Sequence, residues 1–123
     1  MVKSPRWVRP HTVTVTNVLP EVDGEEQTST AKLEYVKVED GRKVSFGQTG
    51  RAYKDTVSIV IDMNDLGASK AYKEPLEFTD PDTQFTLRPG DRVTAEGREW
   101  EITAVRRVNP LRSAPEFIEV TAE

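Results

Sequence analysis

This sequence predicts an all-β fold: a small closed or partly open β-barrel with long loops and at most one short helix. Three observations lead there. Short runs of alternating apolar and polar residues recur along the chain. Turn signals built on Gly, Pro, Asn and Asp separate them. Room for a short helix exists only within 66–84, where the helical pattern is weak. Six or seven short strands gain from closing on one another, because closure removes edges that would pair with other chains.

The first strand is His11 to Val18, with Val13, Val15 and Val18 as its apolar set and Thr12, Thr14 and Thr16 between them. Leu19-Pro20 ends it, and the polar stretch 20–31 reads as a turn or flexible insert. Alternation resumes at Ala31, Leu33 and Tyr35 and extends to Val36 and Val38. Glu39-Asp40-Gly41-Arg42 reads as a hairpin turn, since Asp-Gly tolerates positive φ, with Lys43 to Phe46 returning. Gly47-Gln48-Thr49-Gly50-Arg51 is a second loop, and Asp55 to Asp62 is the central strand. Residues 62–70 are loop, Tyr72 to Glu77 an irregular or edge piece, and Thr79–Asp82 a turn or a single helical turn.

Phe85-Thr86-Leu87 then leads into Arg88-Pro89-Gly90-Asp91, where Pro-Gly suits the two central positions of a type II turn. Val93 precedes another hairpin turn at Ala95-Glu96-Gly97-Arg98. Trp100, Ile102 and Ala104 or Val105 point to the core. After a break at Asn109-Pro110, Phe117, Ile118 and Val120 form the closing strand. The domain plan is a flexible N-terminal arm, 1–10, followed by one barrel domain, 11–123. A chain of 123 residues with 36% hydrophobic content supports one core.

Composition excludes several kinds of chemistry. With no cysteine, there is no disulfide, thiolate metal site or cysteine nucleophile. The single histidine, His11, leaves histidine-based metal chemistry short of ligands and is expected to be exposed or structurally hydrogen-bonded. The longest apolar run, Ile59-Val60-Ile61, is too short to span a bilayer. No apolar signal region follows Met1, so synthesis in the cytoplasm is expected. The net charge of −4 is uneven: 1–61 carries nine Lys/Arg against eight Asp/Glu, and 62–123 eight against thirteen. Protein partners suit that balance better than sequence-independent nucleic-acid binding.

No catalytic, cofactor-binding or metal-binding residues are assigned. Asp62, Asn64, Asp65 and Gly67 resemble calcium-loop spacing only superficially, lacking its glycine and late glutamate positions, and with Asp80 and Asp82 they read as turn residues. Glu25-Glu26 and Glu99/Glu101 have no nucleophile or histidine beside them and read as solvated strand faces. The Gly47–Arg51 loop lacks both phosphate-loop and dinucleotide patterns. Arg88, Arg92, Arg98, Arg106, Arg107 and Arg112, interleaved with Phe85 and Trp100, have the composition of a single-strand-binding groove, though Glu96, Glu99 and Glu101 intersperse negative charge. The loops 20–31, 47–54, 62–71 and 106–116 are long for so short a chain, which favours an adaptor ordered in an assembly.

Read in order, His11-Thr-Val-Thr-Val-Thr-Asn17, Asp55-Thr-Val-Ser-Ile-Val-Ile61, Phe85-Thr-Leu-Arg-Pro-Gly-Asp-Arg-Val93 with Gly97, and Trp100 to Val108 followed by Phe117-Ile-Glu-Val120 resemble the minor capsid or head-tail joining proteins of tailed phages and prophages. The resemblance spans roughly 11–120 and rests on order and spacing. It implies a non-enzymatic β-barrel subunit of the virion, made in the host cytoplasm. Such a subunit self-associates into a ring between portal or adaptor and tail proteins, and DNA passes through without being specifically bound. It implies no cofactor and no membrane partner. The 1–10 arm and the 62–84 segment are expected to contact neighbours. The alternative from the residues alone is a small oligonucleotide-binding or SH3-like module that contacts single-stranded nucleic acid or a protein.

Overall fold

The structure, a computed structural model, describes residues 5–47, 50–108 and 117–123, and within 41–47 and 50–54 it describes the backbone only. Among the described residues the strands are β1 (His11–Val22), β2 (Glu25–Gly47), β3 (Gly50–Asp62), β4 (Gly67–Ala68), β5 (Ala71–Tyr72), β6 (Gln84–Phe85), β7 (Arg92–Ala95), β8 (Arg98–Val108) and β9 (Phe117–Ala122). Six of them close an antiparallel barrel in the order β1-β2-β3-β9-β8-β7, with β7 returning to β1. Two meanders, β1-β2-β3 and β7-β8-β9, are therefore sewn together along two seams, β3–β9 and β1–β7. The all-β barrel is the fold the sequence predicts.

Alternation fills the barrel. Val13 and Val15 of β1, Ala31 and Leu33 of β2, Val57, Ile59 and Ile61 of β3, Val93 and Ala95 of β7, Trp100 and Ile102 of β8, and Ile118, Val120 and Ala122 of β9 are all buried. Burying a Val, Leu or Ile side chain contributes about 1.5–3 kcal/mol, so shifting any one strand by one residue would turn its whole apolar set outward. The tight reversals Asp23-Gly24 and Glu96-Gly97 each have two consecutive positive φ angles, 53° and 77° in both cases. Two-residue type I′ turns require that geometry.

Two bulges fix the inward sets, the first correcting the expected one and the second deciding between Ala104 and Val105. In β2 the inner positions pass from Leu33 to Val36 and Val38, because Tyr35, at φ 61°, is an extra residue opposite the His11/Thr12 register shift. Tyr35 therefore leaves the barrel interior, where continued alternation had put it. A bulge frees a backbone group from the ladder. Here the Tyr35 carbonyl accepts a hydrogen bond from the buried Arg9 guanidinium at 2.7 Å. In β8 a shift at Thr103 puts Val105, not Ala104, against the core.

Three expected turns or loops are strand instead. The 20–31 stretch is the β1–β2 hairpin, whose turn is confined to Asp23-Gly24. Both faces near its tip are exposed, so it carries no apolar alternation to read. Asp40-Gly41 is not a turn but lies within β2, and the 47–54 loop gives way to β3 from Gly50, with Gly47 paired to Gly50. A reversal at Asp40-Gly41 would set the short segment Lys43–Phe46 beside the core residues of β2. The longer hairpin sets Val57, Ile59 and Ile61 there. Gln48, Thr49, the break at Asn109-Pro110, the rest of the 109–116 loop, Arg112 and residues 1–4 lie outside the described residues.

The 63–91 excursion packs on the barrel. It contributes a short β4 pairing with β2, a parallel β5–β6 pair and a 3-10 turn at Pro75–Glu77. Lys70 Nζ donates to Ser29 Oγ and to the Pro81 carbonyl, both at 2.6 Å, tying the excursion to β2. Phe85 and Leu87 join the barrel core. Beyond them the Arg88–Asp91 turn, with Gly90 at φ 95°, has the positive third-position φ of a type II turn. Asp91 fastens it to β1: its carboxylate accepts from Asn17 Nδ2 (2.9 Å), the Val18 N–H (3.0 Å) and Arg88 Nε (2.8 Å).

Candidate functional site

At the end of the barrel where β7 turns into β8, a cleft of about 480 Å³ opens between that turn and the β2–β3 hairpin. Asp40, Asp55 and Thr56 form one wall, and Ala95, Glu96, Arg98 and Trp100 the other. The β2–β3 register sets Asp40 opposite Val57 and Arg42 opposite Asp55, which brings both carboxylates to the root of the hairpin. Trp100 inserts its ring into the core, and the Arg98 guanidinium covers it at 4.1 Å from the ring centroid. Arg98 also reaches Asp55 at 3.7 Å. Both partners are largely exposed, so this pair contributes little to stability and yields readily to a competing charge.

The cleft is thus three carboxylates and a hydroxyl around one movable arginine and an indole. Its chemistry suits a cationic or aromatic guest. None of its residues forms a nucleophile–base pair.

The hairpin that forms one wall continues past the barrel. Beyond Val57, which pairs with Ala122, β3 has no ladder partner but β2 among the described residues. The β1 ladder on β2 likewise ends at Val36, and the next available N–H, that of Val38, is taken by His11 Nδ1 at 3.1 Å. This is the structural hydrogen bond expected of His11. The remaining rungs, to Gly47–Gly50, form a two-stranded arm reaching about 20 Å at ~3.3 Å per residue. Residues 42–54 contain Arg42, Lys43, Arg51 and Lys54 and no acidic residue.

On another face Asp65 gathers the N-terminal segment. Arg6 spans its two carboxylate oxygens at 2.9 and 3.0 Å, and Arg9 Nη2 binds one of them at 2.9 Å. The Arg6 guanidinium also lies 3.9 Å from the Tyr35 ring centroid. The 3-10 turn Arg6–Val8 is held so that Trp7 stays 80% exposed. Hydrogen bonds from Arg6, then Arg9, hold the Asp65 carboxyl well below the usual carboxylate range. A lowered folded-state pKa means that the unfolded chain binds the extra proton. The stabilisation is therefore full above about pH 4 and lost as the pH falls below it. Asp65→Asn should open the bond after Arg6 to trypsin at neutral pH. In urea titrations the advantage of the parent over this variant should shrink between about pH 4 and the acid limit; a gap independent of pH would refute the role of the charge.

The acidic turn residues are engaged locally. Asp62 Oδ1 accepts the Asn64 N–H at 2.9 Å, and Asp80 accepts from the Asp82 N–H and from Thr83 Oγ1. Glu26 pairs with Arg92, while Glu99 and Glu101 sit exposed opposite Thr94 and Arg92. The arginines are dispersed rather than gathered in one groove. Arg88 binds Asp91, Arg92 binds Glu26, Arg107 binds Glu74 and Arg98 belongs to the cleft, whereas Arg106 is exposed. Of the two rings read with them, Phe85 is 1% exposed and Trp100 7%.

Sequence reading missed the cleft, since Asp40 was absorbed in a supposed turn and Trp100 was read as core or as part of an arginine-lined groove. The usable signal was the run of four cations without an anion in 42–54. A family model described as a family of unknown function, DUF6751, matches residues 8–122, taking in every strand of the barrel. No curated protein matches the chain.

Proposed function

We propose that this chain, which belongs to the DUF6751 family, is a structural ring subunit at the head-tail junction of a phage or prophage virion, docking between portal or adaptor and tail proteins. The observation that carries this reading is the arm. The barrel closes its wall, yet β2 and β3 run on with no other ladder partner among the described residues. An isolated two-stranded ribbon is marginal in water, and its outer edges expose unpaired backbone groups. Such an extension gains its stability from a neighbour, and a ring supplies one for every copy.

Two exposed apolar side chains give further support. Trp7 is held outward by the Asp65 clamp, and Leu76 stands 99% exposed on the 3-10 turn of the excursion. Large side chains on rigid supports are the usual anchors of protein interfaces. The work of such a subunit is geometric: a stiff barrel sets the spacing, and the arm and anchors join neighbours.

The test is the mass distribution of the purified protein, alone and mixed with portal-containing capsids from the same genome. Saturable binding at the portal vertex is expected. A monomer that ignores capsids with intact portals would overturn the proposal.

A further inference from the structure

We infer that the acidic cleft at the root of the arm receives the basic arm of a second copy, head to tail; this rests on the ring reading and specifies its contact. The four cations of residues 42–54, set against a whole-chain charge of −4, leave the remainder of the chain at −8. The charge segregation is thus between one protruding segment and the body that carries it. On that body the cleft combines Asp40, Asp55 and Glu96 with the indole of Trp100. The arm carries Phe46 and Tyr53 among its cations, so its composition matches both parts of the cleft.

The cleft volume lies within the range of about 300–1,000 Å³ that takes a guest of a few side chains. Arg98 does not block entry. Its side chain is 60% exposed and 3.7 Å from Asp55, so it can swing aside as the guest enters. A one-way contact leaves an arm free on one copy and a cleft free on the next, so it repeats. It closes into a ring where the rotation between copies allows. Duplex or single-stranded DNA would also attract the cations, but it would leave the acidic cleft without a role.

The chain has no cysteine, so single-cysteine variants report the contact cleanly. Thr56→Cys marks the cleft and Ser45→Cys the arm. A short bis-maleimide linker applied to an equal mixture should give covalent dimer at least tenfold above either variant alone. The yield should fall at high salt, because exposed charges are screened. Lys43→Glu/Arg51→Glu in the arm-marked copy should abolish the dimer, and Asp40→Lys/Glu96→Lys in the cleft-marked copy should restore it. Circular dichroism of each variant checks that the barrel is intact.

Dimer no greater in the mixture than in the separate variants overturns the inference. So does loss of DNA binding by the arm variant with an unchanged cross-link. Failure of the cross-link while capsids still recruit the protein removes this contact and leaves the ring role standing. Failure of both removes both.

Discussion

Asp91→Ala is expected to lower unfolding stability by about 3 kcal/mol, although the residue touches neither the cleft nor the arm. Its carboxylate is buried and serves three donors: the Asn17 amide, the Val18 N–H and the Arg88 guanidinium. Asn17, also buried, bonds both backbone groups of Thr86, donating to its carbonyl at 2.7 Å and accepting from its N–H at 3.1 Å. Arg88 closes the circuit by donating to the Val18 carbonyl at 2.6 Å. Truncating Asp91 leaves these donors facing a low-dielectric interior, and their desolvation is no longer offset.

Asp91→Asn keeps one acceptor oxygen but sets an NH₂ group against donors, so it should recover only part of the loss. Because Asn17 and Asp91 belong to one network, Asn17→Ala with Asp91→Ala should cost less than the sum of the single changes. Urea unfolding followed by tryptophan emission measures all of these. A loss below about 1 kcal/mol for Asp91→Ala would show that the turn is held by its backbone bonds alone, the Ile102 N–H to Asp91 carbonyl among them.

Asp91 also illustrates what was legible. Pro89-Gly90 declared its turn through residue chemistry, as did Glu96-Gly97, and alternation exposed β1, β3 and β9. These are local signals, set by φ preferences and by one buried face. The closure of β1 on β7 and β3 on β9 leaves no local trace, and neither does Asn17. It occupies the inward position after Val13 and Val15, where the sequence reading carried the apolar set on to Val18 instead. Its partners lie 69 and 74 residues away. The Tyr35 bulge was hidden for a related reason. Glu34, Tyr35 and Val36 fit either parity, and the choice is made by Arg9 binding the Tyr35 carbonyl and by the fit of Val36 opposite Ile61.

The candidate site was legible only in fragments. Arg98 and Trp100 stood out as residue types, and the Glu96-Gly97 turn was placed correctly. Asp40 and Asp55 join them through the register of a hairpin whose Asp40-Gly41 pair and Gly47–Arg51 stretch carry loop signals, so the reading broke the strands there. The Asp-Gly pair at 40–41 pulled the reading toward an early turn. Local turn preference is weaker than the burial of three apolar residues of β3 against β2, and the longer pairing prevails.

Phe85→Ala should be the most damaging single substitution, with an expected loss of about 4 kcal/mol. Phe85 is among the largest fully buried side chains, though it belongs to no barrel strand. It enters the core from β6, and Tyr72 of β5 meets it edge-on with centroids 5.6 Å apart. Truncation removes buried area, leaves a cavity that the closed wall resists collapsing into, and forfeits an aromatic pair. With Leu87 it supplies the buried apolar anchors of the 63–91 excursion, so the β5–β6 pair and the turn at Pro75–Glu77 should loosen with it.

Phe85→Leu fills most of the space and should cost less than about 1.5 kcal/mol. Thermal melts separate the two variants: at ~4 °C per kcal/mol for a chain of this size, Phe85→Ala should melt roughly 15 °C lower, and Phe85→Leu within ~6 °C of the parent. Amide exchange over 71–88 would follow the same order. An Ala variant that melts within a few degrees of the parent would mean that the barrel strands hold the core unaided and that the excursion is merely laid against it.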